Sequence, residues 1–129
     1  MNDKTNLFGS YLYGKRIERK YSLREFSNRL DISHVYLYKI ENGNKPTPND
    51  ELLIKMVQCL NLTDDEKNLF FNIAATTKRM TDKKNYQIPT DVKKYLSETK
   101  EAQELVREAS KINLPDEYWR ELLNCLNNL

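Results

Sequence analysis

Apolar residues recur at helical spacings of three and four along most of this chain, and no stretch alternates with the period of two that marks a strand. The pattern predicts an all-α protein. A first helix over about Asn6 to Lys20 offers Leu7, Phe8, Leu12 and Ile17 for burial, although Gly9 and Gly14 weaken its intrinsic propensity. Ser22 and Glu25 form a capping box that opens a second helix, with Leu23, Phe26 and Leu30 on one face. Asp31 and Ser33 are each suited to cap the next helix, whose buried side is marked by Leu37 and Ile40 and whose end is set by Gly43. After a turn at Asn44 to Pro48, Pro48 or Asn49 begins a fourth helix carrying Leu52, Leu53, Met56, Val57 and Leu60. Thr63 and Glu66 repeat the capping box ahead of a fifth, with Leu69, Phe70, Ile73 and Ala74.

From Thr76 to Gln87 the sequence turns polar and basic and loses its period. This predicts a domain over residues 1–77, a linker over 78–87 and a helical tail over 88–129. Three short patterns occupy the tail: Val92, Tyr95 and Leu96; then Ala102, Leu105, Val106 and Ala109; then Trp119, Leu122, Leu123 and Leu126, which Pro115 helps to begin. Roughly forty residues seldom make an independent core, so the tail needs a surface to pack on. That surface is either its own amino-terminal domain or a second copy of the chain. We favour the second copy, with Leu105, Trp119, Leu122 and Leu126 as the dimerisation candidates.

Two short helices joined by a brief polar turn between Ser22 and Gly43 describe a helix-turn-helix, which lays its second helix in the major groove of DNA. At about 100° per residue, His34, Val35, Tyr38 and Asn42 project opposite Leu37 and Ile40, with Lys39 at the edge. Val35 suits a thymine methyl, and His34 and Tyr38 can hydrogen-bond base edges. None of the three offers the bidentate geometry of arginine with guanine, so the chain does not reveal its operator. Arg24, Ser33, Lys39, Asn42, Asn44 and Lys45 are the candidates for the DNA backbone.

Charge supports a one-sided phosphate-facing surface. The chain of 129 residues has a formal net charge of +2, but residues 1–45 hold nine basic and five acidic side chains, giving 9 − 5 = +4 there and −2 in the remainder.

Ile32-Ser33, Tyr36-Leu37, Ile40-Glu41 and Gly43 in this order resemble the helix-turn-helix family of the lambda and Cro repressors, the Xre-type regulators, over roughly Leu7 to Ala75. The resemblance implies a five-helix lambda-repressor-like DNA-binding domain, here with a short helical carboxy-terminal extension. It also implies an ion pair between Arg16 of the first helix and Glu41 near the end of the recognition helix. Glu41 lies near Leu37 on the helical wheel, where an unpaired charge is costly. The chain departs from the family at Leu23, where many members carry a phosphate-contacting glutamine, and at Asp31, which replaces a frequent turn glycine. Family members regulate phages, integrated elements and toxin–antitoxin pairs, so the expected function is a repressor that binds double-stranded DNA as a homodimer. An alternative is a protein-interaction module on the same fold, in which Trp119 and the tail leucines meet a toxin or antagonist.

Other chemistry has little support in the sequence. Cys59 and Cys125 stand apart, with no C-x-x-C or Cys/His cluster, and read as reduced packing thiols. His34 is the only histidine. No glycine-rich phosphate loop, metal spacing or nucleophile elbow is present, so neither an enzyme nor a cofactor nor a metal is expected. The amino terminus leads into no signal core and no long apolar run follows, so the expected location is the cytoplasm, away from membranes.

Overall fold

A computed structural model of the chain describes residues 6–81 and 88–129. Among them every regular element is a helix: α1 (Leu7–Glu18), α2 (Leu23–Leu30), α3 (His34–Glu41), α4 (Asp50–Leu60), α5 (Asp64–Thr81), α6 (Thr90–Glu98), α7 (Lys100–Lys111) and α8 (Asp116–Asn127). They form two units, one up to Lys93 and one from Lys94. None of the described helices is long and apolar enough to cross a membrane.

Side-chain caps fix where α2 to α5 begin. Ser22 and Glu25 bond each other's backbone N–H groups, both at 3.1 Å, and Thr63 and Glu66 repeat the arrangement at 3.0 and 3.2 Å. Ser33 Oγ accepts from the Tyr36 N–H and Asn49 Oδ1 from the Leu52 N–H, each at 3.0 Å. Caps of this kind are worth about 1 kcal/mol each. Both ambiguous starts are thereby resolved: Ser33 caps α3, while Asp31 takes the left-handed conformation (φ 58°) that ends α2. The α2–α3 turn therefore needs only three residues.

The core of this unit draws on all five helices: Phe8 and Leu12, Phe26 and Leu30, Leu37 and Ile40, Leu53, Met56 and Leu60, and Phe70, Phe71 and Ala74. Phe70 meets Phe8 and Phe71 edge-on, at centroid separations of 5.3 and 5.5 Å. Three residues expected inside are instead half exposed: Leu7, Ile17 and Leu69. The buried side of α1 follows Phe8, Leu12 and Arg16 at intervals of four, so Leu7 and Ile17 fall well to the sides of it. The buried side of α5 follows Phe70, Ala74 and Thr77, and Leu69 lies about 100° off.

Gly9 permits a close helix approach. A Cβ there would lie 2.6 Å from the carbonyl oxygens of both Ile40 and Glu41, so α1 rests directly on the backbone of the end of α3. Gly14, by contrast, has nothing within 4 Å of where its Cβ would be.

The stretch read as a linker from residue 78 does not begin there. α5 continues through Thr81, so Lys78 and Arg79 belong to its last turn, and the rest of that stretch, including Lys83 and Lys84, lies outside the described residues. The first turn of α6 also belongs to the amino-terminal unit. Thr90 is buried and donates to Asp50 Oδ1 at 2.9 Å, while the Lys93 ammonium stands 2.8 Å from Asp50 Oδ2. Asp50 opens α4, so this cluster ties the start of one helix to the start of another.

In the second unit α7 buries Ala109, whereas α8 buries nothing. Cys125 is exposed and Cys59 only partly covered, so Cys125 does not serve as a packing thiol in this unit. The apolar residues of α8, Trp119, Leu122, Leu123 and Leu126, are in contact with water.

The two glycines of α1 predict opposite responses to alanine. In urea unfolding followed by circular dichroism, Gly9→Ala is expected to lose about 1–3 kcal/mol, because fixed backbone must move. Gly14→Ala should gain about 0.5–1 kcal/mol from helix propensity alone.

Candidate nucleic-acid interface

α3 is held in place mainly through its buried end. Arg16 Nε donates to Glu41 Oε2 at 2.7 Å and its second terminal nitrogen to Glu41 Oε1 at 3.0 Å, a bidentate pair with both side chains more than nine-tenths buried. The remaining terminal nitrogen of Arg16 donates to the Tyr21 carbonyl at 3.0 Å, which brings the α1–α2 connection into the same network. Leu37 and Ile40 fill the core on the same side.

The opposite side of α3 faces outward. Val35 and Tyr38 are about half exposed, at 50% and 54%. His34 and Asn42 are partly covered at the two ends of the helix. Ser33, Lys39, Asn44 and Lys45 are exposed, as is Arg24 in the first turn of α2. Gly43 (φ 77°) turns the chain from α3 into the loop carrying Asn44 and Lys45. The readers expected at His34, Val35 and Tyr38 thus lie on one helix, flanked by the expected backbone contacts at Ser33, Lys39, Asn42, Asn44 and Lys45.

Ion pairing divides the cations of the amino-terminal third. Lys15 and Arg19 both bond Glu66, at 2.7 and 2.9 Å, and Arg16 is taken by Glu41. The Lys15 ammonium, helped by the Thr63 N–H and by Arg19, holds the Glu66 carboxyl down at about 2. Arg19 also donates through Nε to the Leu60 carbonyl at 2.9 Å, closing the end of α4. Arg24, Lys39 and Lys45 make no ion pair with any described residue. Nor does Lys20 or Arg29, although Arg29 sits over the Tyr21 ring at 5.1 Å. Positive charge on α1 is therefore largely neutralised, while that around α2, α3 and the following loop remains available to an anion.

Two polar side chains that no local pattern singles out also serve this region. Asn6 Nδ2 donates to the Glu41 carbonyl at 3.3 Å, and Thr77 Oγ1 accepts from the Phe8 N–H at 3.2 Å, satisfying the start of α1 from α5. Each spans a long sequence separation, and an asparagine before an apolar helical run reads as an ordinary cap of its own helix.

The tail residues expected at a dimer surface are exposed: Leu105 on α7, and Trp119, Leu122 and Leu126 along one face of α8.

Residues 12–67 match the model of the helix-turn-helix family HTH_3. The chain is also similar to a chain of a solved SinR protein/SinI protein complex, with 20% identity, coverage of 93% of this chain and 94% of that one, and a TM-score of 0.43. No curated protein matches the sequence.

The buried pair predicts a characteristic pattern of stabilities. Glu41→Leu strands the Arg16 guanidinium and should cost about 3–5 kcal/mol, whereas Arg16→Met combined with Glu41→Leu should cost much less than those two single changes summed. Chemical unfolding of the four proteins measures the coupling directly.

Proposed function

From the match of residues 12–67 to the helix-turn-helix family HTH_3, we propose that this chain is a sequence-specific transcriptional regulator of the lambda/Cro repressor type. It binds double-stranded DNA with α3 and the adjoining Asn42 in the major groove, and it acts as a repressor by occupying an operator as a homodimer. The observation that supports this most directly is the outward side of α3, with Val35 and Tyr38 exposed together with Lys39, and Lys45 exposed in the loop that follows. Val35 contacts a thymine methyl, and His34 and Tyr38 hydrogen-bond base edges. Arg24, Ser33, Lys39, Asn42, Asn44 and Lys45 hold phosphates and set the register, with the α3 amino terminus adding its own N–H groups.

Selection of bound duplexes from a random library, followed by binding measurements over a range of salt, tests the reading. Val35→Ala should alter which duplexes are retained. Lys39→Ala should weaken all duplexes alike and make the salt dependence shallower by about 1 in the log–log slope. Loss of selection in neither variant, or the same uniform weakening in both, would remove the division into readers and anchors.

Dimerisation follows from the bare face of α8. A single recognition helix reads only a few base pairs, and two related by a dyad read half-sites about 34 Å apart with the gain of avidity. Trp119, Leu122 and Leu126 meet the equivalent face of the second copy, and Leu105 of α7 adds to it. A protein antagonist or a toxin could occupy the same face, which gives the interaction-module reading its foothold. Sedimentation equilibrium distinguishes them: wild type should be a dimer, and Leu122→Asp with Leu126→Asp should be a monomer of unchanged helix content with affinity for a two-half-site duplex reduced at least tenfold, by roughly the avidity expected of linked sites. A monomeric wild type would favour a foreign partner.

A further inference from the structure

We propose that Asn6 is a positioning residue for the phosphate-facing loop that follows the recognition helix. The proposal rests on the DNA-binding reading above and goes beyond it, because Asn6 itself faces the protein interior.

Asn6 stands at the cap position of α1, yet its side chain makes no cap bond to that helix. It is only 8% exposed, and its amide is directed across the fold to the last carbonyl of α3, with Nδ2 donating to Glu41 O at 3.3 Å. The same amide packs against Gly43: a Cβ placed there would come within 2.8 Å of Asn6 Cγ and 2.9 Å of Oδ1. Gly43 has φ 77°, and the next N–H, that of Asn44, closes back on the Lys39 carbonyl at 2.8 Å. One buried amide thus touches both the final turn of the recognition helix and the residue at which the loop leaves it.

Residues 43–46 are exposed, and the loop borders a cleft of about 610 Å³ lined on its other side by Asn6, Phe8 and Thr77. Beside open space, a loop keeps its position through the contacts at its ends. Fixing the Gly43 end fixes where Asn44 and Lys45 meet the duplex, and a misplaced cation no longer displaces a counterion from a particular phosphate.

The test uses the full chain and a duplex selected by the wild-type protein, with circular dichroism giving the folded fraction so that affinity is expressed per folded molecule. Asn6→Ala should weaken the selected duplex and a scrambled one by the same factor, about three- to tenfold at 200 mM salt, leaving base discrimination intact. Its log–log salt slope should become shallower by about 1, as for Lys45→Ala, and the double variant should be no shallower than either single one. A purely structural role would lower the folded fraction and leave the slope of the folded molecules as in wild type; that result overturns the proposal. An unchanged slope in Lys45→Ala overturns it as well, by removing the loop from the phosphate contacts while leaving α3 as the reader. Failure of the wild type to select any duplex would instead overturn the DNA-binding reading itself.

Discussion

The bidentate contact between Arg16 and Glu41 is the constraint on which the arrangement of the amino-terminal unit depends. A carboxylate at the end of α3, on the side that must enter the core, is expensive to desolvate alone. Pairing it with a guanidinium that also reaches the Tyr21 carbonyl ties α1, the α1–α2 connection and α3 together through one side chain. Hydrophobic contact at Leu37 and Ile40 holds α3 down, but it leaves rotation and sliding comparatively free. The fork of hydrogen bonds, the contact of Gly9 with the last carbonyls of α3 and the reach of Asn6 restrict both motions at the same end of the helix.

Neutralisation on one side of the unit gives the other side its electrostatic character. Glu66 serves at once as a capping residue and as the partner of Lys15 and Arg19, so a helix-start signal in the sequence also silences two cations of α1. A net charge of +2 says little about how a polyanion would approach. The distribution left after pairing says more, because Arg24, Lys39 and Lys45 are exposed and make no ion pair with a described residue.

Local signals made most of this fold legible. Both capping boxes, the Gly43 stop and the apolar faces of α2 to α4 involve residues within four positions of each other, where periodicity and turn chemistry operate. The resemblance to lambda-type repressors added Arg16 with Glu41, a pairing 25 residues apart that periodicity alone cannot name. What remained illegible depended on tertiary placement. Asn6 and Thr77 bond partners 35 and 69 positions away, and nothing in their neighbourhoods signals it. Leu7, Ile17 and Leu69 are as apolar as their buried neighbours, and only the direction from which α1 and α5 receive other helices decides which stay outside. The extent of α5 past residue 77 was masked by composition, since Lys78 and Arg79 are polar yet excellent helix formers.

The fastening of α6 at Asp50 has a practical consequence for dissecting the molecule. Composition places a seam near residue 88, but Thr90 and Lys93 lie on the amino-terminal side of the physical boundary, in contact with the first residue of α4. A fragment ending at the compositional seam would carry Asp50 deprived of two of its partners at the start of α4. Its behaviour would mix the loss of the tail with damage to the unit left behind. A cut placed after the first turn of α6 preserves that cluster and separates the two contributions.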